Sequence, residues 1–383
     1  MHSPLPALAA GQALRLRPGS AAAGAAVDAW LASVWAPRRI LRTDSGTSAL
    51  RLAIEAATAV TAEPRVAAPA YVCYDVATAL DGAGATPVLY DLDPSSLGPD
   101  PVSLRSALEA GARTIIAVHL YGVPVDLAAI RRLASEYGAL VIEDAAQAIG
   151  GRIAGQPAGS LGDLGVLSFG RGKGVTGGGG GALLVFESRV DTAIPSELPP
   201  SRNTLRDRAA LMAQGAFSHP DRYWLPMALP GTGLGETVYH ESWSPRGQSS
   251  LSTAVLSRTM LLADAETRTR IGHAAQLRDR VANQPRFTPI TPPDRVAASW
   301  LRFPVVFRGE GTPPYPAARR LGVMPGYPNS LADLPGFRER VVNRSDPFPG
   351  ARTLAARLGT LPTHGLLSPA DFAGITRWLE GLR

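Results

Sequence analysis

Lysine is nearly absent from this chain. Lys173 is the only one among 383 residues, and since Lys and Arg together number 38, the other 37 basic side chains are arginine. Cysteine is equally scarce. The single thiol, Cys73, excludes an internal disulfide framework and any multi-cysteine metal site, so no metal centre is expected, and it fits a reducing cytoplasm. No run of five or more basic residues occurs despite a net charge of +6 and a pI near 9.8, and arginines scattered in this way exclude nucleic acid as an expected partner. No stretch reaches about 18 apolar residues, and the opening MHSPLPALAAGQALRLRPGS has no basic segment leading into an apolar core. Neither a transmembrane segment nor an export signal is therefore read here. Charged residues make up only 18% and hydrophobic ones 45%, enough for a large core, and the length predicts two domains.

A chain rich in Ala, Gly and Pro that uses arginine for its surface cations keeps a lysine for a task closed to guanidinium. Arginine stays protonated and planar, whereas a primary amine can lose its proton and attack a carbonyl, so carbonyl–amine chemistry is the first candidate for Lys173. A chance surface lysine is the plain alternative.

Apolar spacing predicts a helix over 21–35 with Val27, Trp30, Leu31 and Val34 on one side, then a short strand over 39–43. That strand runs into Asp44-Ser45-Gly46-Thr47-Ser48 and an Ala-rich helix, a turn whose first helical N–H groups are unpaired and suited to an anion, or simply capped. Short buried strands follow at 65–68, 86–90, 114–119 and 139–143 with helical patterns between them. The clearest of these helices has Asp126 as its cap, Leu127, Ile130 and Leu133 inward, and Gly138 at its end. Alternation of this kind predicts an α/β fold with a large, mostly parallel sheet, whose ligands gather at the carboxyl ends of the strands. A strand ending near Phe169, a glycine-rich turn bearing Lys173 and a strand from Ala182 come next. The five glycines 177–181 lack the order of a phosphate-binding P-loop and read as a flexible hairpin-like connection. A Trp-, Pro- and Gly-rich insertion over about 190–245 precedes a long helix over 249–281, a strand over 301–307 and a final helix opened by Ser368-Pro369.

Pyridoxal phosphate needs an amine for its aldehyde, a helix start and hydroxyls for its phosphate, and a carboxylate for its ring nitrogen. Lys173, the Gly46-Thr47-Ser48 turn with Ser168, and Asp144 supply these in turn, each at the end of an expected strand. Asp144 has a second reading as the cap of the turn that follows it.

The blocks SGTSALRLA, HLYGVPVDL, VIEDAAQAIGG and GSLGDLGVLSFGRGKGVTGGGGGALL, in this order, resemble the DegT/DnrJ/EryC1/StrS family of pyridoxal-phosphate-dependent aminotransferases over roughly residues 25–190. Weaker echoes occur in LSTAVLSRTM, GYPNSL and LGTLPTHGLLSPADF. The resemblance implies a fold-type-I transferase that works as a homodimer, with a large cofactor-binding domain over 1–245 and a linker helix and smaller C-terminal α/β domain over 246–383. It implies that Lys173 forms the internal aldimine and shuttles protons, that Asp144 pairs with the pyridinium nitrogen, and that Gln147 lies near the phenolic oxygen. Gly46, Thr47, Ser48 and Ser168 would hold the phosphate. Relatives with histidine in place of the lysine are dehydratases, and Lys173 speaks against that branch.

Two departures stand out. Where many members carry an aromatic residue that stacks on the ring, this chain has Cys73 flanked by Tyr71 and Tyr74, and a helical turn sets neighbouring side chains about 100° apart, so Tyr74, Cys73 or neither faces the ring. The loop that supplies Asn and Arg across the dimer reads SPRGQSS, with Arg246 near the arginine position and no Asn. His119 either orients the cofactor or satisfies the core, the latter being the expectation. The implied activity is transfer of an amino group, from glutamate, to a keto-sugar linked to a nucleotide, serving a surface polysaccharide or a secondary metabolite. The alternatives are other chemistry on the same fold and a non-catalytic cofactor-binding regulator or assembly subunit.

Overall fold

A computed structural model describes residues 21–201, 208–209, 211–213 and 238–382. Most of the expected 190–245 insertion lies outside the described residues. Helix α1 (Ala21–Trp35) leads to strand β1 (Arg39–Thr43), and helix α2 (Gly46–Thr61) follows after two residues. The chain then alternates through β2 (Arg65–Pro69), α3 (Tyr74–Gly82), β3 (Thr86–Tyr90), α4 (Pro101–Glu109), β4 (Thr114–Val118), α5 (Leu127–Glu136) and β5 (Leu140–Asp144). Two-residue strands β6 (Arg152–Ile153) and β7 (Gln156–Pro157) precede β8 (Leu164–Ser168) and β9 (Gly181–Val185).

These strands form a seven-stranded sheet in the order β1-β9-β8-β5-β4-β2-β3. The run from β8 to β3 is parallel, while β9 lies antiparallel to both β8 and β1. All five residues of β4, β5, β8 and β9 are buried, the pattern of a sheet covered on both faces. Alternation within one strand divides the core: Ile116 and Val118 pack with α2 and α3, and Ile115 and Ala117 with α4 and α5. The expected caps are present, with Asp126 Oδ1 accepting from the Ala128 N–H at 3.0 Å and Gly138 at φ +63° just beyond α5.

The single long helix expected over 249–281 is two helices, α6 (Ser250–Thr259) and α7 (Ala263–Ala282), separated by a 3-10 turn at Met260–Leu262. The cause is Thr259, whose hydroxyl donates to the Thr176 carbonyl at 2.7 Å and also lies 3.3 Å from the carbonyls of Val255 and Leu256. A hydroxyl competing for carbonyls of its own helix bends it. Beyond α7, β10 (Phe287–Pro289), β12 (Phe303–Phe307), β13 (Met324–Pro325) and β14 (Leu358–Leu361) form an antiparallel sheet ordered β10-β12-β14-β13. The pair β11 (Val296–Ala297) joins β6 and β7 instead. Helices α8 (Pro349–Arg357) and α9 (Pro369–Glu380) complete the chain. In α9, Ser368 and Asp371 form a reciprocal capping box and Phe372, Ile375 and Leu379 face inward. Among the described residues no helix is long and apolar enough to cross a membrane.

Candidate active site

The carboxyl ends of β1, β2, β4, β5 and β8 open on one pocket, lined by Gly46, Thr47, Cys73, Asp144, Gln147, Ser168 and Lys173 among others. Such ends are where an open parallel sheet takes its ligands. One wall is the start of α2. Ser45 caps it in an extended conformation, its Oγ accepting from the Ser48 N–H at 3.0 Å, and the first-turn N–H groups of Gly46 and Thr47 have no carbonyl within the helix. A Cβ on Gly46 would stand 2.6 Å from Ser168 Cβ, so glycine alone lets this helix start approach β8.

Lys173 sits on the loop between β8 and β9. Because those strands are antiparallel, the loop leaves and re-enters the sheet at the same edge, closed by the Phe169 N–H on the Gly180 carbonyl and the Gly177 N–H on the Phe169 carbonyl, both at 2.8 Å. The Thr259 hydroxyl on the Thr176 carbonyl ties it to α6. The half-buried lysine is thus carried on a loop anchored at both ends.

Asp144 ends β5 and is buried, with Oδ1 accepting from the Ala146 N–H at 3.0 Å. Burial raises its carboxyl above the ordinary aspartate range, while that N–H and the charge of Lys173 pull the other way. Gln147, also buried, accepts the Tyr121 N–H at 2.9 Å through Oε1 and donates from Nε2 to the Tyr327 hydroxyl at 2.8 Å. Cys73 faces the pocket, its thiol pushed up to about 12 by burial and by Asp75, so it is protonated near neutrality and does not compete with the amine for a carbonyl.

Three sequence candidates stand outside this lining. Ser48 is buried behind the Ser45 cap: its N–H donates to Ser45 Oγ, and its own hydroxyl oxygen accepts from Ser45 Oγ, each at 3.0 Å. Tyr74 turns away, accepting the Asn329 N–H at 2.9 Å on its hydroxyl and packing its ring 6.5 Å from that of Tyr327. Arg246 is exposed, and its carbonyl accepts the Asp44 N–H at 2.8 Å. His119 belongs to the core: fully buried, it bonds Glu143 at 2.8 Å through Nε2 while Nδ1 accepts the Val125 N–H at 3.1 Å, which fixes the proton on Nε2. Asp75 was missed. It follows Cys73 by two residues in the first turn of α3 and lines the pocket mouth, its only sequence signal being an acidic residue at a helix start.

The donor set suits pyridoxal phosphate. The helix start with Thr47 and Ser168 suits an anion, a buried carboxylate short of donors suits a cationic ring nitrogen, and the only lysine suits an aldehyde.

The model of the DegT/DnrJ/EryC1/StrS aminotransferase family matches residues 31–380. The UDP-N-acetyl-3-dehydro-alpha-D-glucosamine 3-aminotransferase of Acidithiobacillus ferrooxidans is 38% identical over 159 residues, 42% of this chain and 42% of that protein. The L-glutamine:2-deoxy-scyllo-inosose aminotransferase of Streptoalloteichus tenebrarius is 37% identical over 146 residues, 38% of this chain and 34% of that protein. The chain thus matches less than half the length of these two curated relatives. The solved structure of Helicobacter pylori PseC, an aminotransferase involved in the biosynthesis of pseudoaminic acid, superposes with a TM-score of 0.75 at 16% identity, covering 98% of this chain and 95% of that one, and likeness at that identity carries the fold.

Proposed function

Since the chain belongs to the DegT/DnrJ/EryC1/StrS aminotransferase family, we propose that it binds pyridoxal phosphate in the pocket at the strand ends and moves an amino group from an amino acid to a ketone on a hydroxylated ring. Glutamate or glutamine is the donor, and a keto-sugar, nucleotide-linked or free, or an inosose is the acceptor, in line with the names of the relatives. The observation that carries this reading is the chain's only lysine and a buried aspartate lining one pocket together with a helix start.

When bound, the cofactor supplies an aldehyde that exchanges amino groups and a ring that takes up the electron pair released at the substrate carbon. Lys173 would hold the aldehyde through its amine and would carry a proton to and from the substrate carbon. Asp144 keeps a proton on the ring nitrogen. Its burial withholds water from that contact and strengthens it. Gln147 directs an amide N–H toward the ring's hydroxyl oxygen. Thr47, Ser168 and the first N–H groups of α2 hold the phosphate. The seven-stranded and four-stranded sheets support a cofactor-holding domain through about residue 245 and a smaller domain from 246, and the exposure of Arg246 outside its own pocket fits a contact with the partner in a homodimer.

Borohydride reduction of the purified protein, digestion and mass spectrometry test the reading directly. A pyridoxyl adduct on the Lys173 peptide is expected, together with loss of the bound cofactor's absorbance band when the amino donor is added. Folded protein supplied with cofactor that gives neither adduct nor band would overturn it.

A further inference from the structure

The loop Gly326–Asn329, which follows β13 of the second sheet, lies against the tyrosines behind the pocket. The Tyr327 N–H donates to Tyr71 Oη and the Asn329 N–H to Tyr74 Oη, each at 2.9 Å. The approach is so close that a Cβ on Gly326 would stand 2.1 Å from Tyr71 Oη. The Tyr71 and Tyr121 hydroxyls are 3.1 Å apart, and the rings of Tyr121 and Tyr327 stack at 5.8 Å and 20°. Tyr71, Tyr121 and Tyr327 are all buried.

Gln147 joins this cluster to the pocket. Its Oε1 accepts the Tyr121 N–H, which is aimed there because Tyr121 occupies the left-handed region at φ 58°, ψ 17°. A bulky residue costs about 1 kcal/mol or more in that region and persists only where its surroundings over-determine it. Its Nε2 donates one hydrogen to Tyr327 Oη. Flipping the amide would set N–H against N–H at Tyr121, so its orientation is settled by both ends at once. An amide nitrogen carries two hydrogens, and with one committed to Tyr327 the other remains for an acceptor in the pocket that Gln147 lines. Burial raises the phenol of Tyr327 well above its ordinary range and keeps its hydroxyl neutral.

We propose that Tyr327 is a positioning residue: by holding one N–H of Gln147 it aims the other at the acceptor atom on the cofactor ring, and so links the seating of the second sheet to the cofactor's protonation state. This rests on the reading of the pocket as the pyridoxal phosphate site.

The test uses the full-length chain and the variants Y327F, Q147A, their double mutant and Y71F. Three quantities are measured: unfolding of the cofactor-free protein, the Kd for pyridoxal phosphate, and the pH midpoint of the bound cofactor's absorbance. Y327F is expected to weaken cofactor binding about 3- to 10-fold, as for one buried hydrogen bond, and to move the absorbance midpoint. The double mutant should bind no more weakly than Q147A alone, since an effect transmitted through Gln147 vanishes with it. Y71F removes a hydrogen bond from the same loop yet leaves Gln147 its partner, so it should lower stability without moving the midpoint. Y327F matching the wild type in both Kd and midpoint, additivity with Q147A, or an equal midpoint shift in Y71F would each overturn the proposal while leaving the cofactor reading intact. A wild-type chain that binds no pyridoxal phosphate would overturn both, and the wild-type measurement alone tells these failures apart.

Discussion

Glu143 and Asp144 are neighbours at the end of β5, both buried, and their surroundings shift them in opposite directions. Glu143 lies in a closed nest, with Oε1 taking His119 Nε2 at 2.8 Å and the Gly159 N–H at 2.6 Å, and Oε2 the N–H groups of Leu161 and Gly162 at 2.7 and 3.0 Å. Burial pushes its carboxyl up, but the hydrogen bond from His119 and these N–H groups outweigh it and leave it below the ordinary glutamate range. Asp144 faces the pocket with the Ala146 N–H as a fixed donor, and burial wins. The number of fixed donors, not depth, separates the two. One carboxylate is satisfied by its own chain and ties loops together, whereas the other keeps capacity for a cationic partner from outside.

The sharpest break in this comparison is Asp144→Asn. Turnover is expected to fall about 10²- to 10³-fold, while the cofactor-free protein unfolds at the same urea concentration or higher, because a costly buried charge has gone. Near-full activity would remove Asp144 from the mechanism. Glu143→Gln should do the reverse. An amide in the nest turns N–H toward N–H, and a loss of about 2–4 kcal/mol in urea unfolding is expected, with the surviving folded protein still binding cofactor.

A pH series sharpens the contrast. Glu143, held below its unfolded value, contributes stability that is present above the ordinary glutamate range and lost as the pH falls through its depressed value. Asp144, held above its unfolded value, binds more protons folded than unfolded, so stability declines as the pH rises from the ordinary aspartate range through its raised value. Unfolding free energies of the cofactor-free chain should show both slopes, with E143Q lacking the first and D144N the second. The smallest effect is expected from Ser168→Ala, which removes one hydroxyl from the phosphate side of the pocket. Cofactor affinity measured by equilibrium dialysis should fall about 3- to 10-fold with little change in stability.

Legibility in the sequence followed how local each cause is. Lys173, Asp144, Ser168 and Gly46 are set by strand ends and a helix start, which the chain announces within a few residues, and the pocket brings them together. The turn carries several hydroxyls, which places Ser48 among the expected phosphate ligands; its N–H donates to Ser45 Oγ and its hydroxyl accepts from it, so it is spent within the cap. Tyr74 and Cys73 could not be told apart from spacing, since the backbone N–H that claims Tyr74 belongs to Asn329, far along the chain. The break between α6 and α7 is hidden for the same reason: no Gly or Pro marks it, and the carbonyl that draws Thr259 lies in the Lys173 loop. Tyr327 lies in the GYPNSL block, but nothing local shows its role, because that role comes from Gln147 in the turn after β5, 180 residues earlier.

The antiparallel placement of β9 governs when the site comes into being. Strand β1 enters the large sheet only through β9, with Arg39 opposite Val185 and Thr43 opposite Gly181. The start of α2 therefore cannot reach Ser168 until a strand made much later in the chain is in place. Contacts so distant in sequence close slowly. Helices such as α5 form from neighbouring residues, so during refolding the helical signal should return first and cofactor uptake last, making the cofactor a clock for completion of the sheet.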